Sequence, residues 1–191
     1  MTHTKIEHGF NFPQLSYDST PNYQPCVKLS FFFSKLPEVS YEQFHRHWET
    51  VHADLTVATK SFADNKIQRY VQVHALPKLK EKARELPGVE LIDCDGCSEI
   101  YVKSWEDWEK FGGSPEWAEK LFPDTKHFMA MPIRVMAGYE NLIYGAAFQE
   151  GGKDGILEGQ LPADEAGMKK APTTESKSAP VKQGRSDSVT A

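Results

Sequence analysis

The densest group of side chains able to do chemistry is a run of histidines in the segment FHRHWETVH. His45, His47 and His52 fall within this stretch. At about 100° per residue, His52 follows Trp48 by one helical turn and lies at the edge of the apolar stripe. His45 points further outward, and His47 lies on the opposite flank. An imidazole beside apolar side chains can accept and return a proton near neutral pH without a cofactor. We therefore interpret His52 as the principal acid–base candidate, with a packed, hydrogen-bonded histidine as the alternative.

The spacing of the metal-binding residue types disfavours a metal site. His45 and His52 are roughly 10.5 Å apart along a helix, whereas helical zinc motifs place two ligands on one face at i and i+4. Cys94 and Cys97 form a CxxC pair across a turn, but the third cysteine is the lone Cys26, and a zinc site needs a second pair. No glycine-rich phosphate loop is present either. We predict neither a metal nor an organic cofactor.

Other candidates come from loops and strands. His127 precedes the last predicted strand, and His74 ends the second. Glu140 lies inside the last strand, where a carboxylate facing a cavity could have a raised pKa and take part in acid–base chemistry. A salt bridge or a position at the sheet edge is its alternative. Arg69 and Arg134 fall within strands, where each could bind a substrate carboxylate with two hydrogen bonds or pair with a neighbouring carboxylate.

Hydrophobic periodicity predicts the elements that position these side chains. Strands are expected at 26–34, 65–76, 97–103 and 132–144, and helices at 41–62, 78–86 and 105–121, the last interrupted near its middle by two glycines. Ser40 and Gln43 form a capping box at the start of the first helix. The order β-α-β-(α)-β-α-β predicts a ferredoxin-like α+β sandwich, a four-stranded antiparallel sheet with helices on one face. The uncovered apolar face predicts a homodimer formed face to face.

Composition sets the class and the domain boundaries. With 191 residues, a net charge of −5 and a pI near 5.8, the chain lacks the basic surface that nucleic acid or an anionic membrane would need. No apolar run reaches the roughly 18 residues of a spanning helix, and three cysteines suit the cytoplasm. Residues 149–191 contain no aromatic side chain and predict a disordered tail. We expect residues 1–24 to form an arm that lies on the domain, and residues 25–148 to form the domain itself.

Three segments resemble the EthD-domain family of the dimeric α+β barrel superfamily. FHRHWETVHADL resembles the family's helix signature, and GCSEIYVKSWEDW its third strand with the following helix. LFPDTKHFMAMPIRVMAGYENLIYG resembles its ending, an Asp and a Phe before a final strand with a Glu. The resemblance covers about residues 26–145. It implies a homodimer of ferredoxin-like units, each with an apolar pocket between its sheet and helices.

The resemblance also implies a function. Family members are similar to small cofactor-independent enzymes that tailor aromatic polyketides in fungal pathways, by decarboxylation or dehydration. By position, His52 matches the family's helix histidine and Glu140 its final-strand carboxylate. Phe44 and Trp48 match the packing partners of that histidine, and Asp124 and Phe128 match the family's pair before the last strand. We expect these four residues and Arg69 to contact the substrate.

Three functions from different classes follow. The first is a cofactor-independent lyase in secondary metabolism that decarboxylates or dehydrates an aromatic polyketide, with His52, His127 and Glu140 as catalytic candidates. The second is a cofactor-free anthrone-type oxygenase that uses the same pocket. The third is a non-enzymatic dimeric binding module in which His52 is merely packed. The expected partners are a small-molecule substrate and a second copy of the chain.

Overall fold

The computed structural model describes residues 6–160, which form four strands, six short α-helices and several irregular turns. The strands are β1 Val27–Lys35, β2 Ile67–His74, β3 Gly96–Val102 and β4 Met129–Gly138. The helices are α1 Tyr41–His47, α2 Ala53–Val57, α3 Lys60–Asp64, α4 Pro77–Arg84, α5 Trp105–Gly112 and α6 Phe122–Thr125. Two π-helical turns span Trp48–His52 and Trp117–Leu121, and two 3₁₀ turns span Pro13–Leu15 and Glu158–Gln160.

The four strands form one antiparallel sheet in the order β2-β3-β1-β4. Side chains alternate across each strand, so Phe33 of β1 and its partner Gly96 of β3 share the face that packs on Trp48. The helices cover that face. This is the predicted ferredoxin-like α+β sandwich, and the prediction of the fold class is confirmed.

The last strand lies earlier in the chain than predicted, at Met129–Gly138 rather than 132–144. Its end is set by its partner, because β1 begins at Val27 and the last paired residues are Lys28 and Gly138. The register between the two strands shifts around Pro132. An edge strand tolerates a proline there, since its outward N–H positions have no ladder partner to lose.

The first helical region is divided where the sequence predicts one helix over 41–62. The capping box is confirmed, because the Gln43 backbone N–H donates to Ser40 Oγ at 3.2 Å and the Ser40 N–H to Gln43 Oε1 at 3.1 Å. After α1 the chain makes a π turn, continues as α2 and restarts as α3, where the Thr59 hydroxyl accepts from the Phe62 N–H. The π turn shifts the helix phase by one residue.

Two apolar clusters fill the space between sheet and helices. The first joins the end of β1 to α1 and the start of β4, and comprises Phe33, Phe44, Trp48, Phe128 and Met129. The second joins the other ends of β1 and β3, with Trp108 of α5 packed against it, and comprises Val27, Leu29, Ile100 and Val102. The sheet is therefore packed at both ends of its helix-covered face.

The structured part of the chain extends past the predicted boundary at Phe148. Ile156 is buried, and its N–H donates to the Ile143 carbonyl at 2.8 Å. Gly155 pairs with Gly145 in the same way. The buried Ile156 side chain and these backbone bonds connect residues 155–156 to residues 143–145. The rest of the predicted tail, 161–191, lies outside the described residues.

Residues 6–20 belong to a separate compact unit. Phe10 makes edge-on ring contacts with His8 and Tyr17 at centroid distances of 4.8 and 5.4 Å. That this arm lies on the domain stays a prediction. Between residues 6 and 160, no helix has the length and apolar character needed to span a membrane.

Candidate active site

His52 is buried because of the π turn that contains it. Its exposed fraction is 8%, whereas Val51, which an uninterrupted helix would bury, is 46% exposed. A π turn closes its hydrogen bonds from residue i to residue i+5, so the buried positions run Phe44, Trp48, His52 and Thr56. The Thr56 hydroxyl donates to the His52 carbonyl at 2.7 Å and ties the turn to α2.

Asp124 of α6 joins two histidines of this helical region. His52 Nδ1 lies 2.8 Å from Asp124 Oδ2, and His47 Nε2 lies 2.9 Å from Oδ1. The ring of Phe128 packs against both imidazoles. The expectation that His47 lies on the opposite flank of the helix is wrong, because the π turn brings residues five apart toward one face.

The environment of His52 fixes its protonation and its tautomer. Burial lowers the pKa of His52, and the nearby His47 lowers it further. The hydrogen bond and the negative charge of Asp124 raise it, but the net effect is a lowered pKa. The imidazole is therefore neutral at pH 7. A carboxylate only accepts, so Nδ1 carries the proton and donates to Asp124. Nε2 then carries a lone pair, and no protein group within residues 6–160 forms a hydrogen bond with it.

His52 lines an apolar cavity of about 500 Å³ between sheet and helices. The sheet contributes Phe31, Phe33, Tyr70, Ser98, Ile100, Met129, Met131, Pro132, Ile133 and Val135, and the helical side His52, Thr56, Trp117, Leu121, Phe122 and Thr125. Phe122, Met131 and Val135 are exposed, so the cavity opens between α6 and the edge strand β4. Its volume lies within the range of about 300–1,000 Å³ that is common for small-molecule sites.

Few polar groups reach the cavity. Tyr70 and Ser98 point into it from neighbouring strands, and the Tyr70 hydroxyl accepts from Gln72 Nε2 at 2.9 Å. Burial raises the pKa of Tyr70, which keeps its hydroxyl protonated and able to donate. Among residues 6–160, no Lys or Arg belongs to the lining. The site therefore offers one neutral base, a few hydroxyls and apolar walls.

The core, rather than the cavity, holds three of the side chains expected at the substrate. Phe44, Trp48 and Phe128 are at most 1% exposed and pack together in the first apolar cluster. Asp124 is buried behind His52 and is absent from the lining as well. Asp124 therefore contacts the base His52 and does not line the cavity in which a substrate would bind.

The remaining predicted site residues lie away from the cavity. His127 is exposed in a groove on the outer side of α1. Glu140 follows β4 and pairs with Lys28 at 3.2 Å and with the Tyr101 hydroxyl at 3.1 Å, on the face of the sheet opposite the helices. Arg69 is exposed, with its guanidinium 4.6 Å from the ring centroid of Phe148. Of the predicted set, the structure brings His52 to the cavity and Asp124 to His52.

The sequence carries a weak signal for the lining residues that were not predicted. Tyr70 and Ser98 follow the period of two that assigns alternate residues of a strand to one face. Thr56 continues the buried row only once the π turn is included. The two cysteines of the CxxC pair have pKa values raised by burial, Cys97 to about 11, so both are protonated thiols. Within residues 6–160, no group of three or more His, Cys, Asp or Glu side chains is placed to hold a metal ion.

The sequence profile of the EthD domain matches residues 36–132, just over half of the 191-residue chain. The protein belongs to the EthD-domain family. The matched range contains His47, His52 and Asp124, so the histidine–carboxylate group lies within the family domain.

Solved structures of low sequence identity resemble this EthD-domain protein. An ethyl tert-butyl ether D (EthD) family protein from Bacillus halodurans is 19% identical, with a TM-score of 0.43, and the match covers 60% of this chain and 98% of that chain. A dimeric ferredoxin-like protein of unknown function from Thermobifida fusca is 9% identical, with a TM-score of 0.42 and coverage of 60% and 91%. A DABB family protein with a ferredoxin-like fold from Mesorhizobium loti is 8% identical, with a TM-score of 0.42 and coverage of 60% and 96%.

Proposed function

We propose that this protein is a cofactor-independent lyase that removes carbon dioxide or water from an aromatic, polyketide-type intermediate. The observation that carries the proposal is the neutral His52, which is held by Asp124 at Nδ1 and lines an apolar cavity, where its Nε2 has no partner among residues 6–160. A base in this state can take a proton from a bound molecule and return it within one turnover. Both decarboxylation and dehydration need this transfer of a proton to the base and back, and neither needs another reagent.

Dehydration of a β-hydroxy ketone uses the cycle in two steps. His52 Nε2 takes the proton from the carbon next to the ketone, and the electron pair of the broken C–H bond forms an enolate. The enolate then forms the carbon–carbon double bond as the hydroxyl leaves, and the His52 imidazolium protonates the hydroxyl to give water. Asp124 lies 2.8 Å from Nδ1 and stabilises the imidazolium between the two steps.

Decarboxylation of a β-keto acid uses the same cycle. The cavity lining has no cationic side chain in the part of the chain that the structure describes. The acid therefore enters in its neutral form and gives its proton to His52. The apolar walls leave the resulting carboxylate poorly solvated, which favours loss of carbon dioxide. The electron pair of the broken C–C bond forms an enolate, and the imidazolium returns the proton to carbon. A hydroxyl such as that of Tyr70 can donate to the enolate oxygen.

The cavity walls support an aromatic substrate. Besides His52, five aromatic side chains of the described residues line it, those of Phe31, Phe33, Tyr70, Trp117 and Phe122. Flat aromatic faces pack well against fused or linked aromatic rings, and few polar groups compete with that packing. We take the substrate to be a polyketide-type acid or hydroxy ketone of two or three rings.

We also propose that the enzyme is a homodimer. Val73 and Met136 lie on the face of the sheet opposite the helices and are 47% and 61% exposed. Phe32 is half-buried on the same face. A second copy packing on this face would cover these side chains. Light scattering at micromolar concentration tests the proposal, and a monomer would contradict it.

The test of the activity supplies one β-keto acid and one β-hydroxy ketone of an aromatic polyketide to the purified protein. We expect carbon dioxide or water to be lost without added cofactor, and His52→Ala to reduce turnover about 10²- to 10⁴-fold. Glu140→Gln and His127→Ala are the controls, because both residues lie outside the cavity. Normal turnover by folded His52→Ala would overturn the assignment.

Two outcomes would favour the other functions. Incorporation of ¹⁸O from ¹⁸O₂ into an anthrone substrate would identify an oxygenase rather than a lyase. Tight binding of the aromatic compounds without any product, in both wild type and His52→Ala, would identify a binding module.

A further inference from the structure

A groove on the outer side of α1 reaches the same carboxylate as the cavity. His47 lines this groove and bonds to Asp124 Oδ1 at 2.9 Å, while His52 bonds to Oδ2 at 2.8 Å from the cavity side. The groove holds about 500 Å³ and is lined by Glu38, Val39, Gln43, Arg46, His47, Thr50, Val51, His127 and Phe128. The His47 side chain is 28% exposed, against 11% for His52. One buried carboxylate thus lies between a mostly buried imidazole, on the cavity side, and a more exposed imidazole, on the groove side.

We propose that His47 is a positioning residue that orients Asp124 and, through it, sets the proton affinity of the base His52. This inference rests on the proposed function only in that it names His52 as the base. The contacts themselves do not depend on which reaction occurs.

The geometric part of the argument concerns the plane of the carboxylate. Each oxygen of Asp124 has one imidazole N–H aimed at it, so the group is held from both sides. With the His47 bond removed, the carboxylate can rotate about its terminal torsion, which is broad for Asp. Rotation would lengthen the bond to His52 and release the imidazole from the tautomer that leaves Nε2 unprotonated.

The electrostatic part concerns charge in the groove. A positive charge on His47 lowers the proton affinity of His52 across the shared carboxylate. The charged and titratable groups that line the groove with His47 are Arg46 and Glu38 of the helix side and His127 beyond α6. Protonation in the groove therefore weakens the base in the cavity.

The test compares His47→Leu, His47→Gln and His127→Gln in the full-length protein. Leucine removes the donor to Asp124, whereas glutamine keeps an N–H at nearly the position of Nε2 but has no charge. His127 shares the groove, and its one bond to Asp124 within residues 6–160 joins its backbone N–H to the Asp124 carbonyl at 3.0 Å. His127→Gln keeps that backbone bond and leaves the Asp124 carboxylate untouched, so it is the matched control. Two readouts are measured: turnover with KM as a function of pH, and titration of the His52 ring by NMR, which needs no substrate.

We expect His47→Leu to lower kcat about 10- to 100-fold, the size expected for one lost charge-assisted hydrogen bond, with KM changed far less. His47→Gln should recover most of this loss. In His47→Gln the His52 titration should move to higher pH, because the repulsion from His47 that lowers the pKa of His52 is gone, while His127→Gln should leave the titration in place.

An unchanged His52 titration in His47→Gln, or kcat of folded His47→Leu within twofold of wild type, would overturn the proposal. If His47→Leu does not fold, the glutamine variant still decides through the NMR titration. If wild type converts none of the substrates, the proposed function fails, yet the titration still decides whether His47 controls His52.

Discussion

Replacement of Asp124 by asparagine tests the link between the buried carboxylate and the base with little change in shape. Asp124 accepts from two imidazoles, at 2.8 Å from His52 and 2.9 Å from His47. Asparagine has one acceptor oxygen and one donor NH₂ in place of two acceptors. One of the two histidines must therefore face a donor.

Either orientation of the asparagine weakens the base. If its NH₂ faces His52, Nδ1 must accept, so the ring proton moves to Nε2 and the lone pair in the cavity is lost. If its NH₂ faces His47, His52 keeps its tautomer but loses the negative charge that raises its pKa against burial. Loss of a general base costs about 10²- to 10⁴-fold in rate, which is roughly 2.7–5.4 kcal/mol of transition-state free energy.

The stability of Asp124→Asn should change less than its rate. Loss of a charge-assisted hydrogen bond costs about 1.5–3 kcal/mol, but removal of a buried charge offsets part of that cost. The assay is kcat on a substrate of the lyase reaction, with the thermal midpoint measured on the same sample and His127→Ala as control. Folded Asp124→Asn with kcat within threefold of wild type would refute the reasoning.

Three further predictions concern pH, packing and the chain end. The free energy of unfolding should fall as pH drops below about 6.5, the ordinary pKa of histidine, because the pKa of His52 is lowered in the folded protein and the unfolded chain therefore binds more protons there; turnover should begin to fall at a lower pH than an ordinary histidine would give, since only the neutral form of His52 is the base, and an unfolding free energy that stays constant from pH 7 to 5 would contradict this. Gly96→Ala should lower the free energy of unfolding by about 1–3 kcal/mol, since its Cβ would lie 2.6 Å from Trp48 Cζ3, whereas Gly138→Ala, with nothing within 4 Å, should not. Ile156→Ala should cost about 2–5 kcal/mol in denaturant unfolding because Ile156 is buried, while Leu157→Ala, 40% exposed, is the control; equal stability of the two variants would mean that this segment does not support the domain.

Local patterns predicted the parts of the fold that are decided locally. The capping box at Ser40 marks the start of α1 because both hydrogen bonds join residues three apart. Strands β1, β2 and β3 follow the alternation and length that the sequence shows. The end of β4 at Gly138 is decided by where β1 begins, so no pattern within 132–144 could reveal it. The pairing that orders Ile156 is decided in the same way by its partner Ile143.

The sequence and its family resemblance named both His52 and Asp124 as site residues, but they did not predict the contact between the two. His52 was identified because it lies one turn after Trp48 at the edge of an apolar stripe. Asp124 is 72 positions away in the sequence, and nothing in its neighbours shows that α6 brings it to Nδ1. Glu140 looked equally suitable as a carboxylate within a strand. Its charge is instead paired with Lys28 on the other face of the sheet.

The π turn at Trp48–His52 explains why the geometry of the histidine run could not be predicted from the sequence. In a regular α-helix, residues five apart are separated by roughly 140° around the axis at 3.6 residues per turn, and His47 and His52 could not share one carboxylate. The π turn narrows that angle, so both imidazoles reach Asp124 and Val51 moves to the surface. The same shift places His52 and Thr56 in line with the buried residues Phe44 and Trp48. The π turn thus buries the base His52 and also links it, through Asp124 and His47, to the groove on the outer side of α1.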